Sequence, residues 1–339
     1  MEISVLSRLF YQWELRLSKR DTNRIVRPFE WGLEFLSNNG IQGNDPKSCL
    51  LKYSKNALDD CRAYHAYNPV NDYRLDGAHL TFSSPLPCIY PKNNTVHGRF
   101  FPVDSDGRAV LVLPQWNADA QSHIALCKLM NHFGLSALRL SLPYHDLRMP
   151  EELTRADYML SPNLGRTLQA IRQAVVDARA ALDWLEAKGY TKVAILGTSI
   201  GSCVALITNA IDPRLRLSVQ NHISTYFADV AWRGISTCHV RPSLEGNISL
   251  EDLRNIWMPI SPKAYFRELA GTGKKTLQVY AHYDHTFPPD LSREVLQDFR
   301  DLRLPHATFG LRCGHYTSGV FPFNIALGFA MCRYISQEL

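Results

Sequence analysis

One short segment limits the folds open to this chain more than any other, the hexapeptide Gly197–Ser202 directly after the apolar run Val193–Leu196. Such a run is typical of a buried parallel strand, and the apolar residues Cys203–Ile207 can continue as a buried helix. A serine at the apex of so tight a turn needs positive φ, and small residues must lie two positions to either side. Both flanking glycines meet that requirement. The segment therefore predicts a nucleophile elbow that presents the Ser199 hydroxyl, the alternative being a turn whose serine only caps the helix.

Two later segments can supply the base and the acid that an elbow serine needs. The strand-like run Thr276–Ala281 is followed by a loop containing Asp284, and the strand-like run Ala307–Leu311 is followed by His315. In an elbow fold these groups follow C-terminal strands of the sheet in the order serine, acid, histidine, which is the order found here. We therefore predict Ser199 as nucleophile, Asp284 as orienting acid and His315 as base.

Other residues compete for these roles. Asp284 could instead only form a turn, and His282, His285 and His306 are alternative bases. His306 precedes its strand, so it is expected at the opposite end of the sheet. His282 and His285 flank the acid in a pattern that can indicate a metal site, but no second ligand cluster of suitable spacing accompanies them. The sequence therefore predicts no metal and no other cofactor.

In these residues the chain resembles the α/β-hydrolase superfamily, from about Leu75 to the C-terminus. Ser199 matches the family nucleophile, Asp284 the acid after the seventh strand, and His315 the base after the eighth. The resemblance is nearest to dienelactone-hydrolase-like and other poorly characterised esterase and peptidase branches. It implies an α/β fold, with a mostly parallel eight-stranded sheet flanked by helices.

The oxyanion hole departs from the usual family pattern. One donor is expected to be the backbone N–H of Ile200, the residue after the nucleophile. The other should come from the loop after the third strand, where many relatives carry His-Gly and this chain carries Pro114-Gln115. Proline has no N–H, so Trp116 or Gln115 is predicted to donate, unless Trp116 only packs near the site.

Three regions are predicted along the chain. Residues 1–70 are expected to form a helical N-terminal extension, and residues 71–339 the hydrolase domain, with a cap-like insertion at about 224–273. The loop Tyr144–Leu164 and the insertion are expected to shape the substrate pocket. Candidate substrate-binding residues, with core packing or solvation as the alternative, are Tyr144, His145, Arg148, Arg155, Trp232 and Trp257. If Asp284 did not orient the base, Asp229 and Glu245 in the insertion would be the next carboxylates to consider.

Composition excludes several classes of function. A chain of 339 residues with 45% hydrophobic and 20% charged residues is typical of one enzyme-sized domain. The net charge of +5 includes no basic run, so no nucleic-acid partner is expected. No apolar stretch approaches 18 residues and the N-terminus lacks a signal-peptide core, so neither a membrane span nor secretion is expected. Eight cysteines without a C-x-x-C pair indicate reduced thiols in a cytoplasmic protein.

We therefore expect a serine hydrolase that cleaves a small-molecule ester, or an amide, through an acyl-enzyme on Ser199. An acyltransferase or a peptidase with the same three residues is an alternative. A catalytically silent binding protein with this fold is another, although an intact serine, acid and histidine argue against it. A homo-oligomer is left open.

Overall fold

The computed structural model describes residues 5–36 and 45–339 and is built on one nine-stranded sheet. The strands are β1 (Arg74–Asp76), β2 (His79–Ser83), β3 (Thr95–Phe101), β4 (Arg108–Leu113), β5 (Ser136–Leu140), β6 (Lys192–Thr198), β7 (Leu215–Asn221), β8 (Lys275–Ala281) and β9 (His306–Leu311). They lie in the order β1-β2-β3-β5-β4-β6-β7-β8-β9. Strands β4 to β9 are parallel, whereas β1, β2 and β3 pair antiparallel at one side. The predicted mostly parallel α/β fold is confirmed.

The sheet has one strand more than the eight predicted. The chain turns between β1 and β2 at Gly77, where φ is 56°. Glycine adopts positive φ without steric cost, so the segment from Arg74 to Ser83 folds as a hairpin. The added strand lies at the edge of the sheet.

Helices cover both faces of the sheet. Within the described ranges they are α1 (Val5–Ser18), α2 (Pro46–Asp59), α3 (Cys61–Tyr64), α4 (Ile124–His132), α5 (Leu164–Ala187), α6 (Ile200–Ile211), α7 (Phe227–Arg233), α8 (Arg241–Leu244), α9 (Leu250–Ile256), α10 (Phe266–Leu269), α11 (Pro289–Asp301) and α12 (Phe323–Glu338). Across the described residues, none of these helices is both long and apolar enough to cross a membrane.

The central strands β4 and β6 are buried on both faces, which explains their continuous apolar sequence. Side chains of β4 alternate between two cores, with Leu111 and Leu113 on one face and Val110 and Val112 on the other. Because these strands are parallel, the carboxyl ends of β4, β6, β7, β8 and β9 lie at one edge of the sheet. That edge carries the elbow and the loops with the predicted acid and base.

Candidate active site

Ser199 occupies the turn between β6 and α6 with φ 57° and ψ −120°. Its backbone N–H donates to the Asn221 carbonyl at 2.8 Å, which anchors the turn to β7. A Cβ atom on Gly197 would collide with the backbone of Gly201, and one on Gly201 would collide with the Leu113 carbonyl. The positive φ and the need for small neighbours agree with the geometry that the sequence predicts for an elbow.

Asp284 lies in the loop after β8 and is almost fully buried. Its Oδ1 accepts backbone N–H groups of Thr286 and Phe287, both at 2.7 Å, and its Oδ2 accepts a hydrogen bond from His315 Nδ1 at 3.2 Å. Burial alone would raise the pKa of Asp284, but the two histidines beside it hold that pKa well below its usual range. The carboxylate is therefore charged and fixed in orientation.

His315 follows β9, and its ring stacks on Phe287 with 5.4 Å between centroids. Burial lowers the pKa of His315, but the Asp284 charge, the hydrogen bond to it and the Glu14 charge together raise that pKa above its ordinary value. Ser199 and His315 line the same cavity. Within the described part of the chain no hydrogen bond joins the Ser199 hydroxyl to His315. Such contacts are often loose in the absence of substrate.

The three alternative histidines lie outside this cavity. His306 begins β9, so it is at the opposite end of the sheet, as expected. His285 packs edge-on against Tyr11, with ring centroids 4.6 Å apart, and His282 packs against Tyr280. Neither contacts Ser199.

Sequence reasoning missed a second histidine beside the acid. His222 directly follows β7, is 1% exposed, and places Nδ1 2.9 Å from Asp284 Oδ2. Its Nε2 lies 3.3 Å from the Ser318 hydroxyl. Burial lowers the pKa of His222, which keeps its ring neutral. Its position at the carboxyl end of a parallel strand is the signal that could have found it.

Sequence reasoning also missed Glu14, a fully buried residue of α1. Its two carboxylate oxygens accept the backbone N–H groups of Tyr316 and Thr317, at 2.9 and 2.8 Å. The N-terminal helix thereby holds the two residues that follow His315. No local pattern marks this contact, because the partners are about 300 positions apart in the chain.

The predicted oxyanion loop after β4 borders the same cavity. Gln115, Trp116 and Ile200 all line it, and in the described chain their backbone N–H groups have no acceptor. The next residue, Asn117, donates its N–H to His145 Nε2 at 2.9 Å. The loop thus has free donors where the elbow approaches it.

His145 supports that loop rather than binding substrate, which corrects its predicted role. The ring is fully buried, and Nδ1 lies 2.8 Å from the Pro143 carbonyl, so Nδ1 donates and Nε2 accepts. Burial lowers the pKa of His145 to about 4, so this neutral tautomer persists at neutral pH.

Four other predicted substrate-binding residues do not line the cavity. Arg148 is fully buried because it pairs with Asp177 at 2.7 Å and donates to backbone carbonyls. Trp257 is fully buried in the core and donates Nε1 to a backbone carbonyl. Tyr144 is also fully buried, and Trp232 packs against a surface arginine. Of the candidates named from sequence for substrate contact, Arg155 is the one that lines the cavity.

The alternative acids are occupied elsewhere. Asp229 is buried and pairs with Arg254, with contacts of 2.7 and 3.1 Å. Glu245 is on the surface and pairs with Arg241. Asp284 is therefore the carboxylate that meets His315.

The cavity around Ser199, called the Ser199 cavity below, has a volume of about 800 Å³. Its wall is mostly apolar on the side of α4 and α12, where it includes Leu126, Leu129 and Phe329. A polar side includes Asp21, Arg155 and Tyr316. The space suits a substrate with an apolar body.

His222, Asp284 and His315 also offer three potential ligand atoms within 4.8 Å of one another. Histidine and carboxylate are ligands that Zn²⁺ accepts. Both imidazoles, however, place Nδ1 against the same carboxylate oxygen, which is the arrangement of an orienting acid. The prediction of a metal-free site stays a prediction.

Comparison with known proteins finds likeness in structure alone. No family model and no curated protein sequence match the chain. An acylaminoacyl peptidase from Pyrococcus horikoshii aligns with a TM-score of 0.60 and 11% identity, over 80% of this chain and 42% of that one. Acetyl xylan esterase 1 from a Thermoanaerobacterium species aligns with a TM-score of 0.58 and 14% identity, over 85% of this chain and 93% of that one. An acetyl xylan esterase from Paenibacillus sp. R4 aligns with a TM-score of 0.57 and 16% identity, over 86% of this chain and 99% of that one.

These likenesses concern the fold, and this chain spans less than half the length of the peptidase. The strand order, the parallel core and the elbow at Ser199 are independent observations that point the same way. The chain has the α/β-hydrolase fold.

Proposed function

We propose that the protein is a serine hydrolase that cleaves a carboxylic ester through an acyl-enzyme on Ser199. One observation carries the proposal: a serine in a strained elbow shares a cavity with a histidine that is hydrogen-bonded to a buried, charged aspartate. Nucleophile, base and orienter are the three parts that acyl transfer to serine requires.

The chemistry follows from these positions. When substrate binds, His315 Nε2 takes the Ser199 proton as Oγ attacks the carbonyl carbon, and the charged Asp284 stabilises the imidazolium. The free N–H groups of Ile200 and of Trp116 or Gln115 stabilise the oxyanion. His315 then gives its proton to the leaving alcohol, and a water molecule activated by the same ring releases the acid.

Esterase names among the structural neighbours favour an ester over an amide as the first substrate to test. Acyl transfer and peptide cleavage would use the same three residues, and products formed with added alcohol or with acyl-peptides distinguish them. No disulfide joins any two cysteines of the described chain, which supports a reducing compartment such as the cytoplasm.

Labelling with a fluorophosphonate and hydrolysis of 4-nitrophenyl esters of graded acyl length test the proposal. We expect wild-type protein to be labelled on Ser199, and Ser199→Ala to lose both labelling and turnover, by about 10⁴–10⁶ in kcat. Ser202→Ala is the matched control, because that hydroxyl is buried and bonded to the Gly197 and Asn221 carbonyls. Activity that survives Ser199→Ala, or that EDTA abolishes, would overturn the serine mechanism.

A further inference from the structure

We propose that the Ser199 cavity binds substrates carrying an anionic oxygen group, such as a carboxylate, which Arg155 holds beside the oxyanion loop. The inference rests on the proposed function and names its substrate class: an ester with an apolar body and a carboxylate outside the bond that is cleaved.

Arg155 is a buried cation whose donors are mostly unused. The residue is 5% exposed, yet it lines the Ser199 cavity. Arg155 has five N–H donors, and among the residues that the structure describes it makes one hydrogen bond, a long one from Nη1 to Asn23 Oδ1 at 3.5 Å. Nε lies 3.2 Å from Asp157 Oδ1 but is out of line for a hydrogen bond, so both atoms are unsatisfied. A buried guanidinium in this state is costly unless a ligand supplies acceptors.

The carboxylates near Arg155 are already paired with other arginines. Asp157 accepts from Arg27 Nε at 3.0 Å, and Asp21 accepts from Arg24 Nη2 at 3.0 Å while lying 4.0 Å from Arg155. This Arg155 cluster therefore contains three cations and two anions. Arg155 is the surplus cation, and it is the arginine of the three that faces the cavity.

The pKa of His239 is affected by the same excess of positive charge in the Arg155 cluster. Burial and the three arginines lower the pKa of His239 to about 3, so its ring is neutral. Neither ring nitrogen has a hydrogen-bond partner in the described chain, although the residue is only 8% exposed.

Packing fixes Arg155 against Trp116 of the predicted oxyanion loop. Its guanidinium lies over the Trp116 ring, 4.6 Å from the centroid, and His239 stacks on Trp116. Trp116 is itself held by a hydrogen bond from Nε1 to the Ala156 carbonyl at 2.9 Å. On the other side, Tyr316 follows His315 directly and contacts Arg24 and Asp21 of the cluster. An anion at Arg155 thus lies between the oxyanion loop and the base loop, with the apolar wall free for the rest of the substrate.

Paired substrates that differ only in charge test the proposal. In one arm, 4-nitrophenyl hydrogen adipate is compared with its methyl ester, which puts the charge on the acyl side. In the other, 4-(carboxymethyl)phenyl butyrate is compared with its methyl ester, which puts the charge on the leaving group. We expect wild-type enzyme to prefer the anionic member in one arm. Arg155→Gln should lower the anionic-to-neutral ratio of kcat/KM by about 10²-fold, the value of two charge-assisted hydrogen bonds.

Two further variants separate recognition from a purely structural ion-pair cluster. Asp157→Asn removes a competing negative charge, so the anionic-to-neutral ratio should rise, whereas a structural cluster would only lose stability. Arg62→Gln, at a surface ion pair, is the matched control and should leave the ratio unchanged. No charge preference in either arm, or an equal loss for both members in Arg155→Gln, would overturn the proposal.

A binding measurement keeps this inference distinct from the proposed function. Calorimetry of Ser199→Ala with hexanoate and with hexanamide should show tighter binding of hexanoate, lost in Ser199→Ala/Arg155→Lys because lysine lacks the planar fork. If wild-type protein hydrolyses no ester yet hexanoate binding depends on Arg155, the hydrolase proposal fails and the anion site stands. Equal binding of hexanoate and hexanamide overturns the anion site whatever the catalytic result.

Discussion

Glu14→Gln tests whether the N-terminal helix is part of the catalytic apparatus. The carboxylate accepts two backbone N–H groups, one on each oxygen, from the residues after His315. Glutamine keeps one acceptor but turns an NH₂ group toward the other N–H. One buried donor is then left without a partner, which costs about 1–3 kcal/mol of the free energy of unfolding.

The same change should reach catalysis through His315. A displaced loop moves the imidazole relative to Ser199, and a shift on the order of 1 Å costs up to about 10²-fold in rate. We expect that loss in kcat, with KM for a neutral ester little affected. The Glu14 charge also raises the pKa of His315. Since the base must be neutral to accept a proton, removing that charge should move the rising limb of the pH–rate profile to lower pH.

Urea unfolding, 4-nitrophenyl butyrate kinetics and a pH profile of kcat/KM measure these three effects. Gln12→Ala is the control, because Gln12 is exposed on the same helix. A Glu14→Gln protein with wild-type stability, wild-type kcat and an unmoved rising limb of the pH profile would refute the idea that α1 positions the base. A loss of stability with an unmoved pH limb would limit Glu14 to a structural role.

Three other predictions concern the groups around Asp284. In wild-type enzyme kcat/KM should rise with pH through the pKa of His315, above its ordinary value of about 6.5, because Asp284 favours the charged ring. Asp284→Asn should lower the rate by about 10⁴-fold, as in trypsin-type enzymes, and move the rising limb of the pH profile to lower pH. A near-normal rate with an unmoved limb would show that another carboxylate orients the base. His315→Ala should lower kcat as much as Ser199→Ala does, whereas His222→Gln should lower it by no more than about 10²-fold. Stopped-flow labelling that is slowed more by His222→Gln than by His315→Ala would show that His222 is the base.

The positions of Ser199, Asp284 and His315 could be predicted because each depends on local sequence. A strand followed directly by Gly-x-Ser-x-Gly leaves few conformations for the serine, and residues after parallel strands must emerge at one edge of the sheet. Asp284 and His315 are both placed by that rule. The parallel core followed from unbroken apolar runs such as Val110–Leu113.

The loop residues that line the cavity could not be predicted in the same way, because a loop after a strand can turn into the core. Arg148 is three positions from His145 and follows the same strand as Arg155, yet it is buried through its ion pair with Asp177 on α5. Arg155, further along the loop, meets the cavity instead. The difference is set by partners distant in sequence, and residue type alone does not reveal them.

The two histidines beside Asp284 differ in which nitrogen remains available. His222 Nδ1 lies 2.9 Å from Asp284 Oδ2 but is out of line for a hydrogen bond, whereas its Nε2 lies 3.3 Å from the Ser318 hydroxyl and is paired with it. His315 uses Nδ1 for Asp284, and in the described chain its Nε2 has no hydrogen-bond partner. A base needs an available nitrogen that does not face the acid, and of the two Nε2 atoms only that of His222 is paired, with Ser318. We therefore predict that proton transfer to and from Ser199 falls to His315, and that His222 helps to keep the shared carboxylate in place.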